Sequence, residues 1–129
     1  MKKIPQTPSI TEKQIERIQT MIMNRPEIIK AMLISADGLL ILPRIEGSRE
    51  ESFAAIMAMQ IAAAKEAYKY LKMAIPECVI ISGKEPAVVC NAGDENVLVV
   101  LTEDYPNAKD IQKILALAKA IDVILASKS

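Results

Sequence analysis

The sequence predicts an α/β domain with one five-stranded antiparallel sheet between helices, in the order helix-strand-strand-helix-strand-strand-strand-helix. Three observations predict it. Helix-start signals precede three long stretches rich in apolar residues, Asp37-Gly38 separates two aliphatic runs, and three short β-branched runs are punctuated by Gly, Pro, Asn and Asp. A chain of 129 residues holds one ordinary core, so 10–129 is expected to form a single domain. Residues 1–9, with Pro5 and Pro8, read as a flexible N-terminal arm.

The first helix opens at overlapping capping boxes, Ser9-Ile10-Thr11-Glu12 and Thr11-Glu12-Lys13-Gln14. It carries Ile15, Ile18 and Ile22 on one side and stops at Asn24-Arg25-Pro26, because the residue before proline is pushed out of the helical region. Two strands follow, Ile28–Ser35 and Leu39–Pro43, joined by the Asp37-Gly38 turn. Their lack of alternation implies a sheet covered on both faces, and Pro43, which cannot donate to a ladder, puts the second at an edge. Ser48-Arg49-Glu50-Glu51 caps a second helix running to about Met73. Three strands then form a meander: Cys78–Ser82, Ala87–Asn91 and Val97–Leu101. Folding the first connection back brings Cys78 close to opposite Cys90. The final helix begins after Pro106-Asn107, with Ile111, Ile114, Leu115, Ala118, Ile121 and Leu125 as its apolar stripe.

Composition excludes more than it selects. Sixteen basic residues balance sixteen acidic ones, which leaves no net field to draw the chain onto nucleic acid or an anionic membrane. There is no histidine, so His-based triads and His-ligated zinc are out. Four scattered glycines write neither a P-loop nor a dinucleotide fingerprint. An enzyme is not expected, nor a metal or cofactor. The polar start has no apolar signal core, and a cytoplasmic protein with two reduced, buried thiols is the simplest reading of Cys78 and Cys90. A cross-strand disulfide or redox switch is the alternative.

The second helix is the most informative segment. Phe53 through Ala64 carries no charge and a single polar side chain, Gln60. Phe53, Ile56, Met57, Gln60, Ala64, Ala67 and Leu71 share one face with the bulk to cover a sheet. Opposite lie Ala55, Ala58 and Ala62, continued by Lys65, Lys69 and Lys72, with Met59 and Ile61 on the flanks. A helix resting on a sheet should turn a polar back to water, and the first half of this one does not. A second copy of the chain is the economical cover, with small alanines allowing close approach around a two-fold axis and Met59 filling gaps. Val79, Ile80 and Ile81 would add to the interface if their strand lies at the edge opposite Pro43. Alanine's helix propensity alone explains the alanines, but not Met59 and Ile61 without a compensating charge.

The order of elements, Ala31-Met32-Leu33-Ile34-Ser35-Ala36-Asp37-Gly38-Leu39-Leu40-Ile41, the alanine-rich second helix and Asn91-Ala92-Gly93-Asp94-Glu95-Asn96-Val97-Leu98-Val99-Val100-Leu101 resemble the roadblock (dynein light chain) family over about residues 10–126. The resemblance implies three layers, with the second helix on one sheet face and the first and last on the other. It implies dimers through the second helix and third strand, whose sheets join into one. It also implies a non-catalytic scaffold or regulator that binds a Ras-like small GTPase, and some relatives stimulate a partner's GTP hydrolysis. No family motif of active-site residues exists to carry over. Arg44 and Arg49, flanking Gly47, are the arginines best placed to reach a partner, as an arginine finger or as plain solvated charge. A small-molecule sensor is the alternative function, with Gln60, Ser82 and Asn91 as the polar groups available to a pocket. Glu50-Glu51 and Glu103-Asp104 read as helix-start acids rather than an acid–base pair.

Overall fold

A computed structural model describes residues 10–43 and 49–127, so the expected N-terminal arm and the Ser48 cap lie outside the described residues. The elements follow the expected order: α1 (Glu12–Met23), β1 (Ile28–Ser35), β2 (Leu40–Leu42), α2 (Arg49–Tyr70), β3 (Cys78–Ile81), β4 (Ala87–Asn91), β5 (Asn96–Thr102) and α3 (Ala108–Ala126). All strand pairings are antiparallel, in the spatial order β2-β1-β5-β4-β3. The central pair is β1 against β5, with Ala31 opposite Val100 and Leu33 opposite Leu98. The short β2, ending just before Pro43, forms one edge and β3 the other.

The helix starts are set by side chains that satisfy orphan amides. Of the two overlapping boxes the second is used: the Gln14 amide donates to Thr11 Oγ1, and Gln14 Oε1 accepts from the Thr11 amide. Asn107 and Asp110 form the same reciprocal pair at α3. Glu103 and Asp104 therefore lie in the bend before α3 rather than at its start, where Thr102 Oγ1 donates to the Asp104 carbonyl.

Helix α2 ends at Tyr70, three residues short of the expected Met73. The Met73 amide donates to the Tyr68 carbonyl and the Lys72 amide to that of Lys69, which is a Schellman closure. Lys72 takes the left-handed position at φ 56°, where glycine is usual.

Alternating side chains of β1, β4 and β5 feed two cores. Beneath α1 and α3 lie Leu33, Val88, Cys90, Leu98 and Val100, packed on Ile15, Ile18, Ile114, Leu117, Ile121 and Ile124. Beneath α2 lie Met32, Ile34, Val89, Val97 and Val99, packed on Ala54, Met57 and Ile61. The sheet is thus covered on both faces, by one helix and by two, which explains the missing alternation in β1. On α3 the buried stripe includes Leu117 and Ile124, while Leu115 and Leu125 are only partly covered.

Candidate functional site

Helix α2 is turned differently from the sequence expectation. Ala54, Met57 and Ile61 are buried against the sheet, with Ala55 and Ala58 partly buried beside them. Phe53 and Ile56, expected on the sheet, point to solvent. The contact face is rotated by roughly one residue step, about 100°. Ile61 joins the cluster that holds Met32, Val89 and Val99, and full burial of such a side chain contributes about 1.5–3 kcal/mol.

The outer face that results is apolar. Ile56 is 57% exposed and Met59 65%, with Phe53 and the small Ala62 and Ala63 also exposed. Gln60 is exposed in its midst, and ion pairs lie near the ends. Lys30 Nζ meets Glu50 Oε2 at 2.7 Å near the start of α2, and Lys69 Nζ lies 3.5 Å from Glu66 Oε2 near its end. Both pairs are solvent-exposed, so each adds at most about 1 kcal/mol.

At the sheet edge lies β3, which pairs with β4 on one side, while its other edge carries no strand among the described residues. All four of its residues are half-buried. Val79 and Ile81 point toward α2, and Cys78 and Ile80 toward α1 and α3. An edge of β-branched residues with no charge is the kind that accepts another strand. Met59 and Ala62 are exposed on α2 and Val79, Ile80 and Ile81 are half-buried on the edge strand β3, while Ala55 and Ala58 lie at the margin of the sheet core. Ile56 belongs with Met59 and Ala62 and was missed, because an all-apolar helix carries no internal marker of its phase.

Arg49 is exposed at the first position of α2, and Arg44 lies outside the described residues. The polar groups suggested for a ligand pocket are not gathered: Gln60 and Ser82 are exposed, and Asn91 Nδ2 donates to the Asn96 carbonyl at 3.5 Å. Cys78 and Cys90 stand directly opposite each other across β3 and β4, as the folded-back connection implies. Burial raises both thiol pKa values, that of Cys90 to about 12 with the neighbouring Cys78 adding to the effect, and that of Cys78 with help from Glu77. No helix among the described residues is long and apolar enough to cross a membrane.

Among solved structures, an MglB in a tetrameric arrangement shares 21% identity, with 88% of each chain covered and a TM-score of 0.67. The gliding protein MglB of Thermus thermophilus shares 19%, covering 88% of this chain and 89% of its own, at 0.64. A Roadblock/LC7 domain from Streptomyces avermitilis shares 19%, covering 84% and 94%, at 0.69. At such identities the likeness is one of fold. No curated protein matches the sequence significantly. The profile of the Roadblock/LC7 domain matches residues 14–102, from the first turn of α1 to the end of β5, and the chain belongs to that family.

Proposed function

We propose that this chain is a non-catalytic, homodimeric platform that binds a Ras-like small GTPase in the cytoplasm. One observation carries the reading: α2 turns an apolar outer face to solvent, and the strand β3, whose Val79 and Ile81 pack with the inner face of α2, has an open edge. Monomers rarely expose such patches, and an open edge tends to pair. A second copy placed there covers Ile56, Met59 and Ala62, with Ala55 and Ala58 at the margin, and joins Val79–Ile81 to its own counterpart. The fold likeness to MglB in a tetrameric arrangement supports assembly. The partner class comes from the roadblock resemblance, whose members regulate Ras-like GTPases. Arg49, exposed at the start of α2, is the residue that could enter a partner's site, while reshaping of the partner's switch loops needs no such finger.

The test has two arms. Native mass measured at micromolar concentration should give a dimer, and Ala62→Glu or Met59→Lys should give a folded monomer. A monomeric wild type would end the assembly claim. Mixing the protein with small GTPases of the same cell, loaded with GDP or a non-hydrolysable GTP analogue, should yield a nucleotide-dependent complex. Absence of binding in both states for all of them would end the partner claim. Arg49→Ala then separates the two routes, because only a finger mechanism loses stimulation while binding persists.

A further inference from the structure

The pair Cys78 and Cys90 plays no part in the proposed platform, yet its placement is specific. The two residues are registered partners at one end of the β3–β4 ladder, and the strand alternation turns both toward the core beneath α1 and α3. Directly opposed residues of antiparallel strands have Cα atoms about 4.5 or 5.5 Å apart. Both spacings fall inside the roughly 4.4–6.8 Å that a disulfide spans. The two thiols also differ in access: Cys90 is fully buried, whereas Cys78, at the edge of the sheet, is only partly buried. One thiol can meet an oxidant and the other can only meet its neighbour.

We propose that Cys78 and Cys90 form a reversible intrachain disulfide that fastens the start of the edge strand β3 to β4. The oxidant is a low-molecular-weight disulfide of the glutathione class. The Cys78 thiolate attacks one of its sulfurs, forming a mixed disulfide and releasing one glutathione thiol. Cys90 attacks Cys78 Sγ, and its proton leaves with the second glutathione, which departs as the thiol. Two protein thiols are oxidised, one small disulfide is reduced to two thiols, and no other reactant is needed. Burial keeps both cysteines protonated, so the exchange is slow without base. The closed form ties down the strand carrying Val79–Ile81, but the bond stands whether or not a second copy or a GTPase ever binds there.

The experiment treats the full chain, folded, with oxidised glutathione at about pH 9, because raising the pH increases the thiolate that attacks. Intact mass should fall by the two hydrogens lost, both free thiols should disappear, and peptide mapping should join the segments holding Cys78 and Cys90. The midpoint of thermal unfolding should rise and return when dithiothreitol is added. Cys90→Ala should stop at a glutathione adduct on Cys78, and Cys78→Ser should leave Cys90 unmodified. The proposal is overturned if the wild type ends as a Cys78 adduct with Cys90 free, links two chains covalently, or keeps both thiols while the urea-unfolded chain is oxidised. The wild-type mass decides the matter even if a variant does not fold.

Discussion

Gly38 and Gly93 both take positive φ, at +89° and +79°, but for different reasons. Gly38 completes the turn between β1 and β2, and a side chain there would enter open space. Gly93 lies in the β4–β5 turn, where an added Cβ would run into the carboxylate of Asp122 on α3. The left-handed conformation alone costs a non-glycine residue roughly 1–2 kcal/mol. Gly38→Ala should therefore destabilise by about 1 kcal/mol, and Gly93→Ala by about 2 kcal/mol or more, in urea unfolding. Adding Asp122→Ala to the second variant should recover the steric part and leave the conformational part. Equal losses at the two glycines would show that Asp122 moves aside without cost.

Helices α1 and α3 are joined by more than apolar contact. Gln14 is buried, and its Nε2 donates to the carbonyls of Ile124 at 2.8 Å and Ser127 at 3.0 Å. The same side chain caps α1 through Thr11, so one amide starts one helix and fastens the end of another. Gln14→Ala should cost about 1–2 kcal/mol. Gln14→Glu should cost more near neutral pH, because a carboxylate would face two carbonyl oxygens in place of a donor. That added penalty should shrink as the pH is lowered and the introduced carboxyl group takes up a proton, since the protonated form regains a donor. Chemical denaturation of both variants at neutral and acidic pH checks the order. If the glutamate variant matched the alanine variant at every pH, the fastening role of the amide would be lost.

At the scale of the molecule, one sheet is sandwiched by α1 and α3 on one face and by α2 alone on the other. Two helices shield each other's flanks, whereas a single one leaves its back and the nearby sheet edge to solvent. That asymmetry leaves Phe53, Ile56 and Met59 of α2 exposed, as Met23, Ile29 and Val123 are elsewhere on the surface. On the proposed pairing, folding and association are linked, so the thermal midpoint should rise with protein concentration. The Ala62→Glu variant should melt at one temperature whatever its concentration. Scanning calorimetry over a broad dilution series measures both. A wild-type midpoint independent of concentration would count against a second copy on this face.

Element types, their order and the sheet edge at Pro43 were written in local chemistry. Asp37-Gly38 sets a hairpin, Pro43 ends a strand that cannot be central, and the short β3–β4 connection fixes Cys78 opposite Cys90. Such signals act over a few residues and need no knowledge of the rest of the chain. The excess of apolar surface on α2 was also legible, because uncharged residues around a whole circumference must be exposed somewhere. Which of them are exposed was not. With Ala, Met and Ile on every side, the helix had no preferred phase until the sheet supplied a surface, against which Ile61 is buried and Phe53 is not. The adjacency of β1 to β5, the Gln14 clasp on α3 and the approach of Asp122 to Gly93 likewise join segments far apart in the chain. Contacts of that kind are chosen by packing in three dimensions, and no local pattern encodes them.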